Sequence, residues 1–250
     1  MEAYATAAQV YAAGLVFARV GAMVMLVPGL GDASVPPRIR LSFALLMSLV
    51  LTPLVAPNVA VPGQVSGVAA EVIRETLIGL MIGAILRMTL NALAVAGEVV
   101  AIQTTLGFAQ TASPSQAQPS ATLSTFLNLI GVTLVMTTDL HHLFFGAMVQ
   151  SFELFPFTRT PPVADAATLA VQTFAGSFAL GIQLSAPVIV FSLVFNIATG
   201  LVGRVMPQFQ IFFVASPLAV IFGLSIFALS LGLIGMVWVS RFREVLEVFS

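Results

Sequence analysis

The chain contains no cysteine and no lysine. The first absence excludes disulfides, a thiolate nucleophile and cysteine-ligated metal. The second excludes a P-loop, whose lysine reaches the nucleotide phosphates. Charge of either sign is scarce: Asp, Glu, Lys and Arg make up 8% of the 250 residues, against about 25% in a typical globular chain. The nine basic residues are all arginines, scattered from Arg19 to Arg243 without a run or stripe. Phosphate binding needs clustered positive charge, so nucleic acid is not expected as a partner. Catalysis has little foothold, because no serine lies in a G-x-S-x-G elbow and no H-E-x-x-H pair is present. No cofactor, no metal and no enzymatic activity are expected.

What the chain has in excess is apolar length. Hydrophobic residues make up 59% of it and the mean hydropathy is +1.07, beyond what a soluble domain can bury, so the surplus must face lipid or other membrane subunits. A spanning helix needs roughly 20 mainly apolar residues, and Pro, Gly and Arg divide the sequence into about six such stretches. The expected fold is all-α and polytopic. The amino terminus lacks the basic region of a secretory signal, so the run from Ala3 toward Val27 reads as a retained membrane helix.

Residues 28–40, with Pro28, Gly29, Pro36, Pro37, Arg38 and Arg40, read as an interfacial loop. A second stretch, 41–56, stops at Pro53 and Pro57. From Gly67 to Leu106 no proline intervenes. One helix there would extend about 60 Å at 1.5 Å per residue, twice the hydrocarbon thickness of a bilayer, so it must bend or project beyond the lipid. A polar, proline-punctuated loop over 107–119 precedes a fourth region, 121–155. Residues 166–203 and 205–240 then carry no charge and read as a helical hairpin. Its tip holds Arg204, Met206, Pro207 and Gln208, and Trp238 with Arg241 and Arg243 forms an interface anchor at its end. The arginines compete as orientation markers and leave topology open.

A charge near a bilayer centre costs about 2.5–3.5 kcal/mol on insertion scales, so Arg19, Arg87, Glu98 and Asp139 each require a partner. On a continuous helix Arg87 and Glu98 share a face but lie about 16 Å apart along the axis, too far to pair. Glu71, Arg74 and Glu75 read as a solvated cluster near a helix start. Asp139, His141 and His142 are the most enzyme-like group. However, adjacent histidines on a helix point about 100° apart, and zinc-binding pairs usually sit at i and i+4. Gly79 and Gly83 form a G-x-x-x-G motif that lets another helix approach closely. Gly200 with Gly203, and Gly232 with Gly235, suggest the same in the hairpin.

The order of these features resembles the FliR family of type III export-gate subunits over essentially the whole chain. The resemblance rests on Arg19 and Gly21 followed by Pro28-Gly29 and Pro37-Arg38-Ile39-Arg40, on the segment from Glu75 to Gly83, and on Gly97-Glu98 leading to Gly107-Phe108 with Pro114 beyond. It continues through Asp139-Leu140-His141-His142, Ser151-Phe152 with Pro156, Ala186-Pro187 with Asn196, and Arg204-Val205-Met206-Pro207-Gln208 leading to Pro217 and Gly223.

The resemblance implies a core subunit of the bacterial flagellar export gate, in the inner membrane at the basal body. It would assemble with FliP-like and FliQ-like subunits, be contacted by FlhB-like and FlhA-like proteins, and pass unfolded flagellar proteins. Residues 1–160 would correspond to a FliP-like four-helix part and residues 161–250 to a FliQ-like hairpin. The loop 107–119, with Gly107, Phe108, Gln110, Ser113, Pro114 and Pro119, would be a plug, Phe108 sealing a constriction by dewetting. Ser113 stands where the family usually has an acidic residue, so no role for that charge carries over. The hairpin tip would meet partners.

Other readings are the equivalent subunit of a virulence injectisome, a proton- or solute-coupled transporter with Arg19, Glu98 and Asp139 at a midplane site, and an intramembrane enzyme using His141 or His142.

Overall fold

The computed structural model describes residues 7–32, 34–55, 59, 61–106, 122–157, 163–206, 208 and 211–247. Among them are seven helices and no strand: α1 Ala7–Leu26, α2 Pro37–Val55, α3 Val65–Gln103, α4 Thr122–Thr137, α5 Leu140–Leu154, α6 Val163–Val205 and α7 Ile211–Glu247. Five are long and apolar enough to cross a membrane, or six if α4 and α5 together make one broken span.

Three local outcomes differ from the expectations. The interfacial loop ends earlier than Arg40, because α2 begins at Pro37. A proline suits the first helical position, where its missing N–H would have had no partner and its fixed φ is already helical. The Pro36 carbonyl accepts from the Ile39 and Arg40 amides at 3.0 and 3.4 Å. Pro53 does not end α2, which runs through it to Val55. Nearby, the hydroxyls of Ser48 and Thr52 donate to the carbonyls of Leu45 and Ser48 at 2.8 and 2.6 Å.

The third difference lies at residues 121–155, which form two helices rather than one. The break falls at Asp139, a non-glycine residue at φ 58°, ψ 18°. Asp is among the few residues whose short polar side chain tolerates that left-handed conformation.

By contrast, α3 is one unbroken helix of 39 residues, about 58 Å long at 1.5 Å per residue. It is also the helix the fold is built around: 56% of its most apolar window is buried, against 17% for α2 and for α7. Those two helices turn Leu41, Leu45, Leu49, Ile221, Leu229 and Met236 outward. Apolar surface of that extent is not left to water in a soluble monomer.

The chain forms two compact units. The first draws on 1–89, 138–174 and 242–250, the second on 90–137 and 175–241. In the first, α1 packs along α2, Phe43 of α2 meets Phe145 of α5 at a ring separation of 6.2 Å, and Leu15, Met23, Ile82, Leu140 and Met148 are fully buried. In the second, Leu93, Leu127 and Trp238 are fully buried. Trp238 is therefore a packing residue rather than the interface anchor its neighbouring arginines suggested.

Candidate functional site

The strongest polar constellation lies in the first unit and centres on Arg19, which is fully buried in the middle of α1. A guanidinium stripped of water must find acceptors for its fixed fork of donors. Its Nε donates to Glu75 Oε2 at 2.7 Å, and its Nη2 lies 2.6 Å from the same oxygen. The remaining donors turn to the end of α5: Nη1 donates to the Ser151 carbonyl at 2.6 Å and Nη2 to the Phe155 carbonyl at 2.7 Å.

The Ser151 carbonyl also accepts from the Phe155 amide at 3.0 Å, so the guanidinium is a second donor there. The last carbonyls of a helix carry the negative end of its dipole, which a cation stabilises. The guanidinium also lies over the Phe152 ring, 4.1 Å from its centroid, a cation–π arrangement. One side chain thus ties α1, α3 and α5 together.

Glu75 is accordingly 0% exposed, which corrects the expectation of a solvated cluster with Glu71 and Arg74. Glu75 sits near the start of its own helix, whereas the buried cation that pairs with it, Arg19, comes from α1. Arg74 Nε lies 3.3 Å from Glu75 Oε1, and its Nη2 donates to the Phe157 carbonyl. The Tyr11 hydroxyl donates to Glu71. Half-buried Arg87 pairs with Asp32 at 2.5 Å, and Asp32 in turn accepts from the Gly29 amide at 3.1 Å, which fastens the turn after α1 to α3.

The G-x-x-x-G glycines face α1 closely. A Cβ added at Gly79 would overlap the Arg19 carbonyl oxygen and lie 2.9 Å from Ala22 Cβ, and one at Gly83 would lie 2.9 Å from Leu26 Cβ. The hairpin pairs behave otherwise: Gly200 and Gly232 face open space, and Gly203 and Gly235 make only ordinary contacts. In the second unit tight approaches are at Gly97, where a Cβ would be 2.6 Å from the Ser124 backbone, at Gly181, 2.7 Å from Val95 Cβ, at Gly131, 2.6 Å from Leu93 Cδ1, and at Gly223, 2.5 Å from Thr104 Cγ2. Glycine spacing alone did not distinguish these positions.

Glu98 is exposed and lies 3.3 Å from the Ser124 hydroxyl. The end of α3 is polar and strained. Ser192 donates to Gln103 Oε1 at 2.6 Å, and the Thr105 and Ser216 hydroxyls are 3.4 Å apart. Thr105 sits at φ 60°, a genuine outlier for a β-branched residue. Beside it, Asn196, Thr199 and Ser216 help line an open cavity of about 270 Å³.

Gly107, Phe108, Gln110, Ser113, Pro114 and Pro119 lie outside the described residues, as does Pro207. Arg204, Met206 and Gln208 are exposed. Asp139 and His142 are exposed and His141 half-buried; their ligand atoms lie within 4.8 Å of one another. His141 and His142 both lie in α5, where their rings are nevertheless 4.2 Å apart; the break changes the placement of Asp139, which precedes the helix.

Long apolar helices, outward apolar faces and charges satisfied inside the helix bundle define a multi-pass α-helical membrane protein. The chain belongs to the bacterial export proteins, family 1, whose model matches residues 10–245.

The flagellar biosynthetic protein FliR of Caulobacter vibrioides is 62% identical over 251 residues, covering 100% of both chains. That of Aquifex aeolicus is 31% identical, covering 94% of this chain and 91% of its own. That of Escherichia coli K12 is 26% identical, covering 93% and 88%. The chain is a component of an export apparatus, not an enzyme.

Proposed function

We propose that this chain is a core subunit of the flagellar type III export gate in the bacterial inner membrane, at the basal body. With FliP-like and FliQ-like subunits it forms a gated channel for unfolded flagellar proteins, contacted by FlhB-like and FlhA-like proteins, and the driving energy comes from elsewhere in the apparatus. The full-length likeness to flagellar biosynthetic proteins carries this reading. The uncovered apolar faces of α2 and α7 support it, since sibling subunits as well as lipid can cover them.

Within the proposal, residues 1–160 act as the FliP-like part and 161–250 as the FliQ-like hairpin, with Arg204, Met206, Pro207 and Gln208 turned to partners. The loop 107–119 is the plug, with Phe108 as its seal. An uncharged loop can occupy a pore at small desolvation cost, and a hydrophobic constriction closes by dewetting. Support for the plug comes from its origin beside Thr105, where strain of about 1–3 kcal/mol is held by surrounding contacts.

Deleting Gln110 to Gln118 tests the gate. In vesicles carrying the assembled complex, the deletion is expected to raise ion leak while subunit content stays constant. Membranes that remain as tight as with the intact chain would remove the gating role.

A further inference from the structure

We infer that Asp139, His141 and His142 form a binding site for a divalent first-row transition-metal ion at the α4–α5 break. On an unbroken helix, residues at i, i+2 and i+3 would not all converge. Here Asp139 leaves the helical path, its backbone in the left-handed region immediately before Leu140 starts α5. The carboxylate is thereby set beside the first turn, where the two imidazole rings lie 4.2 Å apart, centroid to centroid, in an edge-on arrangement.

Each of the three residues offers one ligand atom, and all three atoms lie within 4.8 Å of one another. Ligand atoms about 2.0–2.2 Å from a tetrahedral ion are about 3.4 Å apart. Closing the set therefore takes side-chain rotations that shorten these separations by up to about 1.4 Å, which exposed Asp139 and His142 have room to make.

The Asp139 carboxylate also does not do the usual work of its position. An aspartate directly before a helix normally accepts an amide hydrogen of the first turn, yet Asp139 makes no side-chain cap hydrogen bond.

Two imidazoles and one carboxylate, without a thiolate, suit zinc, nickel, copper or ferrous iron and discriminate against magnesium and calcium, which prefer all-oxygen shells. Three protein ligands leave the remaining positions to water. Bound in this way, the ion bridges the residue before α5 to its first turn and fixes the break. The inference is independent of the export-gate proposal.

The test uses the full chain purified in detergent with an affinity tag free of histidine, titrated with zinc and followed by calorimetry, and with cobalt followed by its visible d–d absorption. The expected result is one ion per chain. His141→Ala, His142→Ala and Asp139→Asn should each weaken binding by about tenfold or more, as loss of a metal-site partner commonly does. Asn tolerates the left-handed conformation as Asp does, so Asp139→Asn removes the charge and keeps the turn. Binding that is absent, or unchanged in all three variants, overturns the site. So does binding that survives Asp139→Asn at full strength, because the ion would then sit on the imidazoles alone.

Discussion

Arg19→Ala is expected to destabilise the first unit by about 3–5 kcal/mol, because it leaves the Glu75 carboxylate buried without its cation. The loss reaches further than the ion pair. Arg19 also donates to the Ser151 and Phe155 carbonyls at the end of α5, so the Phe155 carbonyl loses this donor together with Glu75, while the Ser151 carbonyl keeps the Phe155 amide. Glu75→Ala should cost a similar amount, since it strands a buried guanidinium.

Replacing both partners by apolar residues of similar volume, Arg19→Met with Glu75→Leu, is expected to recover part of the loss. A buried pair can often be exchanged for packed hydrophobic groups at little cost, but a methionine donates to neither carbonyl oxygen. Thermal unfolding of the detergent-solubilised chain measures all three. Equal stability of Arg19→Ala and the wild type would contradict the clamp.

Gly79→Leu should disrupt the same unit by a different route. The position gains nothing from lipid exclusion if α1 cannot approach, and an added Cβ there already overlaps the Arg19 backbone carbonyl. Helix–helix contact in a membrane depends on such small residues. Even Gly79→Ala is expected to be net destabilising by about 1–3 kcal/mol of overpacking, despite the ~1 kcal/mol that alanine contributes in a helix over glycine.

Gly146→Ala provides the contrast. Nothing lies within 4 Å of its added Cβ, so helix propensity alone acts and the isolated chain should become more stable by up to about 1 kcal/mol. Opposite signs at the two glycines, measured by the same unfolding assay, would distinguish close packing from propensity.

The sequence made the helices readable where hydropathy and punctuation agreed. Most of the proline-free stretch from Gly67 to Leu106 is a single long helix, which ends at Gln103, and the demand that Arg19 find a partner is met. What it concealed depends on distance along the chain or on backbone conformation. Glu75 lies 56 positions from Arg19, and seen on its own helix it belonged with Glu71 and Arg74 near water. Only the packing of α1 on α3 converts it into a buried counter-ion.

The break at Asp139 carries neither proline nor glycine, so no local signal marked it, and the placement of Asp139 ahead of the histidine-bearing helix was missed with it. Pro37 misled in the other direction, because a proline that opens a helix looks the same in sequence as one that prevents it. Trp238 beside Arg241 has the composition of an interface anchor, yet it is buried. Glycine spacing identified Gly79 and Gly83 but gave equal weight to Gly200 and Gly232, which face open space, and did not single out Gly181 against Val95.

Purification of the tagged chain from membranes that also express FliP-like and FliQ-like subunits, followed by native mass spectrometry, is the most direct measurement of the account. One stable particle containing all three subunits is predicted, with the outward faces of α2 and α7 shielded from lipid-phase labelling. A self-sufficient monomer in lipid, with those faces fully labelled and neither subunit retained, would contradict it.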